Sequence, residues 1–281
     1  MYEDFWYRAQ DGLKLYCRDY PGNRRGRPAI LCLPGVARNS KDFALFAEKH
    51  QAEGWRILCP DYRGRGRSAY DPNPANYEPA RYLDDIRHLL SATGTHRVIV
   101  VGTSLGGLMG LALAVATPMA IAGLVMNDIG PDIDSSGLSR IIAYIGNDRT
   151  FATLEEAVAD IKTVLNMPNL TEAEWTMVAD GSVRQTDDGS YQLDWDTKIA
   201  EPMKRQSSLP DLWALFRAAR NIPVLALHGE VSDILSNDTF QKMQIGMPNL
   251  TGVDIPGAGH CPTLQEPAAS EAIDDFLSRF Q

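Results

Sequence analysis

A mostly parallel β-sheet flanked by helices, the α/β class, is the fold that this sequence predicts. Three observations carry the prediction. Short apolar runs recur along the chain, each bounded by turns, and most lead into a segment with helical spacing. One of them, Val98-Ile99-Val100-Val101, passes through Gly102-Thr103-Ser104-Leu105-Gly106-Gly107 straight into the apolar run Leu108 to Ala116. Finally, the alternation lapses once, between Gly130 and about Pro223, where helical pieces follow one another without a good buried strand.

Taken in order, Leu13 to Tyr20 alternates weakly and pairs with the preceding residues as two strands turning at Asp11-Gly12. Pro21 to Pro28, with Arg24 and Arg25, reads as an exposed turn. Ala29 to Leu33 is a buried strand. Asn39 or Ser40 then caps a helix from Lys41 to about His50. Trp55 to Pro60 is the next strand, followed by the glycine-rich loop Asp61-Tyr62-Arg63-Gly64-Arg65-Gly66-Arg67-Ser68. That loop lacks the third glycine of a dinucleotide fingerprint and opens no helix directly. Tyr77 to Ser91 has helical spacing, with Tyr82, Ile86, Leu89 and Leu90 on one face. Ile121 to Asn127, Val224 to His228 and Leu250 to Ile255 are further strands, and Glu266 to Phe280 closes the chain as an amphipathic helix. The lapse holds helical pieces at 138–145, 154–165, 172–180 and 211–220, and a polar hairpin-like patch at 185–193. The expected organisation is a core of residues 1–129 and 222–281, with a helical cap, residues 130–221, inserted after the sixth strand.

Composition narrows the function classes. A chain of 281 residues has room for one large domain with an insertion. The excess of 36 acidic over 27 basic residues argues against a general nucleic-acid binder and against attraction to anionic membranes. Leu105 to Met126 is uncharged, but Gly106, Gly107, Thr117, Pro118 and Gly123 interrupt it, so it reads as a helix and a strand and not as a membrane span. Residues 1–8 carry acids and no apolar region of the signal-peptide kind. Cys17, Cys32, Cys59 and Cys261 form no CxxC pair and fit no zinc spacing. The expectation is four reduced thiols, no metal, no cofactor and a cytoplasmic setting.

The chemistry centres on Ser104. G-x-S-x-G between a strand and a helix places a serine on a tight, strained turn, with glycines where strand and helix pass too closely for side chains. The helix N-terminus behind it favours developing negative charge. A serine hydroxyl needs a base, and the base needs a carboxylate to orient it. Of five histidines, His260 suits best, because Gly257-Ala258-Gly259-His260 is a glycine-rich loop between the last strand and the last helix. His228 also ends a strand. His50 and His88 fall in helices, and His96 in a polar turn. Asp233 and Asp128 both follow strand ends, and both lie between Ser104 and His260, so order does not choose between them. Glu230 is a third acid, suited to shaping its turn.

Together, Gly102-Thr103-Ser104-Leu105-Gly106-Gly107, Asp61 to Ser68, Gly229-Glu230-Val231-Ser232-Asp233 and Gly257-Ala258-Gly259-His260 resemble the α/β-hydrolase family along the whole chain. The resemblance implies an acid after the seventh strand, Asp233, with Asp128, after the sixth, as the alternative found in some relatives. It implies oxyanion donors at Leu105 N–H and, in the loop Pro34-Gly35-Val36, at Val36 N–H. Relatives often carry His-Gly where this chain has Pro34-Gly35.

Serine at the nucleophile position disfavours the dehalogenase and epoxide hydrolase chemistries of the fold, which use aspartate. The expected activity is therefore carboxylic ester hydrolysis through an acyl-enzyme. The expected substrate is a small ester with a hydrophobic portion lying against the cap, where Tyr144, Trp175 and Trp195 are candidate contacts. A carbon–carbon bond hydrolase of ring-fission products and a non-catalytic small-ligand receptor are the alternatives.

Overall fold

In the computed structural model, which describes residues 1–23, 26–205 and 211–281, the apolar runs become strands. Arg24 and Arg25 of the expected turn lie outside the described residues. The chain opens with β1 (Glu3–Arg8) and β2 (Lys14–Tyr20), then β3 (Ala29–Leu33), α1 (Ala44–Ala52), β4 (Ile57–Asp61), α2 (Pro79–Ala92), β5 (Val98–Thr103), α3 (Leu105–Ala116) and β6 (Ile121–Asn127). A long segment then leaves the sheet. It holds α4 (Ser135–Ile145), β7 (Thr150–Phe151), α5 (Leu154–Lys162), α6 (Glu172–Ser182), β8 (Val183–Gln185), β9 (Tyr191–Leu193), α7 (Ala200–Arg205) and α8 (Leu212–Ala218). The chain returns with β10 (Val224–Gly229), α9 (Asn237–Gly246), β11 (Leu250–Ile255) and α10 (Pro267–Ser278).

One eight-stranded sheet runs β1-β2-β4-β3-β5-β6-β10-β11. Only the first two strands break the parallel direction, β1 against β2 and β2 against β4. Every residue of β3, β4, β5, β6 and β10 is buried. Such strands need apolar side chains on both faces, which is why they read as continuous apolar runs and not as alternating ones. One core lies under α2, α3 and α8 and continues into the inserted segment; the other lies under α1 and α10. Among the described residues no helix is long and apolar enough to cross a membrane.

The structure departs from the sequence reading in three places. A 3-10 turn, Ser40–Phe43, capped by Asn39, precedes α1, so the regular helix starts three residues later than Lys41. α7 and α9 were not expected; α9 is polar and buries only Thr239, Phe240 and Met243. The expected hairpin-like patch at 185–193 is present as β8 and β9, but β7 joins them, which was not expected, to make a small antiparallel sheet, β7-β9-β8. Its strands are two or three residues long and bury one residue each, too little for a periodic signal.

Glycines set the close passage at the sheet's centre. A Cβ at Gly102 would collide with the backbone of Gly106 and Gly107, and one at Gly106 with the Leu33 carbonyl. α3 therefore lies directly on β5 and β3, and its N-terminus sits at the C-terminal edge of the sheet.

Candidate active site

Ser104 joins β5 to α3 with φ 52° and ψ −115°, in the left-handed region that costs a non-glycine residue energy. Its N–H donates to Asn127 O (3.0 Å), and its own carbonyl accepts from Gly107 N–H (2.9 Å). The strained residue is thus bound on both sides, and its side chain leaves the sheet edge.

His260 comes from the loop between β11 and α10. Its Nε2 lies 3.1 Å from Ser104 Oγ, and its Nδ1 lies 2.7 Å from Asp128 Oδ2. A carboxylate accepting from Nδ1–H leaves the Nε2 lone pair facing the serine. Asp128 is fully buried and follows β6 directly, with φ 53°. Its Oδ1 accepts from Gly229 N–H (2.8 Å) and its Oδ2 from the Ser232 hydroxyl (2.6 Å). These donors stabilise the ionised carboxylate where no water reaches it.

Asp233, the acid the resemblance implied, is not on the histidine. It pairs with Arg140 of α4. The register explains the difference. Thr103 of β5 lies opposite Asn127 of β6, so Ser104 and Asp128 are the next residues of two adjacent strands. The chain after β10 instead runs toward α4, where Gly137 has room only for a hydrogen against the Asp233 carbonyl. Ser232, one residue earlier, is what this loop contributes.

The other candidates have structural partners. His228 Nδ1 meets Asp254 (2.6 Å) and its Nε2 meets Leu235 O (3.0 Å). The Glu230 carboxylate accepts from Gly257 N–H (2.7 Å), shaping the histidine loop. Asn127, not singled out in the sequence, donates to Thr103 Oγ1 (3.1 Å) and to Pro262 O (2.8 Å), which ties that loop to the sheet. Cys261 lines the site, and burial, reinforced by the Asp128 carboxylate, pushes its thiol up. That shift favours the thiol over the thiolate.

A cavity of about 330 Å³ opens over Ser104 and His260. Gly35 and Val36 form one wall, and Ile141, Ile145, Val164, Leu165, Met177 and Trp195 supply apolar surface from the inserted segment. Among the described residues, neither Val36 N–H nor Leu105 N–H has an acceptor in the protein. Tyr144 and Trp195 line the cavity, with Tyr144 Oη bonded to Asp160 (3.1 Å) and Trp195 Nε1 to Ile145 O (3.0 Å). Trp175 does not line it; its ring packs in the core with Lys162 Nζ 5.6 Å above it. The cavity's two cations are already engaged. Arg38 holds Asp42 in a two-point pair and also reaches Val178 O, and Lys41 donates to Asp180 O (3.1 Å) and Val183 O (3.2 Å).

The model of the alpha/beta hydrolase family matches residues 30–272. A 3-hydroxybutyrate-oligomer hydrolase of Cupriavidus necator is 31% identical over 270 residues, 92% of this chain and 90% of that one. A 2-(acetamidomethylene)succinate hydrolase of Mesorhizobium japonicum is 26% identical, over 89% of this chain and 88% of its own. The crystal structure of an alpha/beta hydrolase from Novosphingobium aromaticivorans superposes with a TM-score of 0.93 at 40% identity, covering 99% of this chain and 98% of that one. The chain belongs to the alpha/beta hydrolase family, and it is a hydrolase of that family.

Proposed function

We propose that the protein cleaves carboxylic esters through an acyl-enzyme on Ser104. The observation that carries the reading is the continuous hydrogen-bonded line from Ser104 Oγ through His260 to the buried Asp128 carboxylate. In this reading, Nε2 takes the hydroxyl proton as Oγ attacks the ester carbonyl. Val36 and Leu105 N–H groups receive the oxyanion. The tetrahedral species collapses, and His260 passes its proton to the departing alcohol. Water then enters, gives a proton to Nε2 and attacks the acyl carbon; a second collapse restores Ser104 and releases the acid. Asp128 remains ionised, holds the ring's tautomer and balances the imidazolium.

Residues 130–221 act as the cap that walls the apolar end of the cavity. With Arg38 and Lys41 engaged, the wall favours an uncharged aliphatic portion over a carboxylate. The neutral acyl unit of a 3-hydroxybutyrate oligomer, the substrate named for the Cupriavidus relative, whose terminal carboxylate lies on the leaving-alcohol side, matches that polarity better than the dicarboxylate named for the Mesorhizobium one.

Hydrolysis of p-nitrophenyl esters of increasing chain length tests the reading. Wild type should turn over short neutral esters well and those with a carboxylate-bearing acyl group poorly. Ser104→Ala should lose on the order of 10⁶ in kcat. A folded wild type inert toward every ester, but active on a vinylogous diketone, would replace ester cleavage with carbon–carbon cleavage.

A further inference from the structure

Two arginines stand two residues apart in the loop after β4, and the structure treats them in opposite ways. Arg63 is fully buried and meets three carboxylates: Asp85 (2.6 and 2.7 Å), Asp71 (2.5 Å) and Asp11 (2.8 Å). Arg65 is also fully buried, yet it has no carboxylate partner among the described residues. It is enclosed by the rings of Tyr62, Tyr77 and Tyr82, with centroids 4.8 to 5.9 Å from its guanidinium carbon. Its Nη1 donates to Arg63 O (2.7 Å) and Tyr82 Oη (2.9 Å), and its Nε donates to Val36 O (2.8 Å). Burying a cation without a counter-ion is costly, and aromatic faces and carbonyls offset only part of that cost.

The contact with Val36 gives the cost a purpose. A trans peptide is planar, and its C=O and N–H point in opposite directions. The Gly35 carbonyl accepts from Arg38 N–H (3.1 Å), so the N–H of the same peptide, that of Val36, is turned the other way. Gly35 lies against Ser104: a Cβ there would sit 3.9 Å from the Ser104 Cβ. Among the described residues, the next peptide, Val36 to Ala37, is held by Arg65 alone. Released from it, that peptide gains freedom to rotate about the Val36 Cα, and the turn that carries Val36 N–H keeps only one of its two anchors, Arg38 N–H on Gly35 O.

We propose that Arg65 is a positioning residue for the oxyanion hole: it fixes the peptide after Val36, so that Val36 N–H is preset for the oxyanion, and it places an unneutralised positive charge behind that peptide. The inference rests on the proposed role of Val36 and goes beyond it, because Arg65 does not touch the cavity. A donor set in advance acts on the transition state and not on the bound ester. Its loss therefore belongs in kcat and leaves KM nearly alone.

The test compares wild type, Arg65→Lys and Arg65→Met. For each, kcat and KM are measured on one p-nitrophenyl ester, with inhibition constants for a trifluoromethyl ketone, which adds Ser104 to form an oxyanion, and for the matching methyl ketone. Removing an oxyanion donor costs about 10²–10³ in kcat, and misaiming one should cost roughly ten-fold or more. Arg65→Met should lower kcat by that amount with KM within about two-fold, and should weaken the trifluoromethyl ketone by the same factor as kcat/KM while the methyl ketone binds as before. Arg65→Lys keeps the charge and one donor and should fall between; it carries the test alone if Arg65→Met does not fold. An unchanged kcat, or a lower kcat with trifluoromethyl ketone affinity intact, overturns the proposal, because a merely structural role lowers the active fraction without changing that affinity. A wild type that neither hydrolyses the ester nor binds the trifluoromethyl ketone overturns the ester reading, and this proposal with it.

Discussion

Asp128 and Asp233 differ in what their carboxylates are already committed to. Asp128 accepts from Gly229 N–H, Ser232 and His260, whereas Asp233 serves Arg140, a partly exposed partner on α4. Asp128→Asn should therefore drop kcat by about 10⁴, since an amide in that place favours the wrong histidine tautomer. Asp233→Asn should leave kcat within about three-fold of wild type, because a part-exposed ion pair contributes little. Parallel kinetics of the two variants decide the matter. Ser104 and His260 were legible from their loops, since the glycines around each announce a turn at a strand end. Asp128 was legible only as a candidate. Asn127-Asp128 looks like any strand terminus, and its distinction lies in pairing with Thr103, a relation between strands that a single sequence does not print. Trp175 misled for the opposite reason: an aromatic at helical spacing looks the same whether it faces a cavity or a core.

Among elements, α3 lies close against both β5 and β3. Gly106 faces the Leu33 carbonyl with no space for a methyl group. Backbone yields less than a side chain does, so Gly106→Ala must push α3 away from β3. The expected cost is about 1–3 kcal/mol of stability, read from denaturant unfolding, with a loss of activity in the protein that still folds. Elements with continuous burial, β3 to β6 and β10, were legible because each is one apolar run. α9 was not, since a helix that buries three residues of ten shows almost no apolar stripe. Nor was the joint between the loop after β3 and the end of α6. There Arg38, Asn39 and Lys41 donate to the carbonyls of Val178, Asp180, Gly181 and Val183, of which Asp180 and Gly181 are acceptors that a helix C-terminus leaves free. In the sequence these three residues look like an ordinary polar turn.

Across the whole molecule, the inserted segment meets the core through Asp194. It is buried, accepts from Asn39 Nδ2 (3.2 Å), and lies 3.6 Å from Lys41 Nζ. Burial raises its pKa to about 6, Lys41 opposes that shift, and the Asp61 carboxylate adds to it. The folded state then holds a proton that the unfolded chain, at a carboxylate's ordinary 3.8, has given up. Stability therefore falls as pH rises from about 4 to about 6, and the loss is complete above that range. Relative to wild type, Asp194→Asn should gain stability between pH 4 and pH 8, by up to about 3 kcal/mol, in urea titrations at the two pH values. The insertion was legible at this scale as a lapse in strand–helix alternation. Its attachment was not, because residues 38–41 and 178–196 are far apart in the chain and meet only when folded.

Placing Asp128 directly after β6 also has a consequence for how this molecule can diverge. Ser104 and Asp128 follow neighbouring strands, and His260 is fastened to them through Asn127 and Pro262. The loop after β10 then owes the chemistry one amide and one hydroxyl, from Gly229 and Ser232, and its remaining residues are released to meet the insertion. A chain built this way can exchange residues 233–236 together with the facing surface of α4, and so retune what it admits, without dismantling what it does.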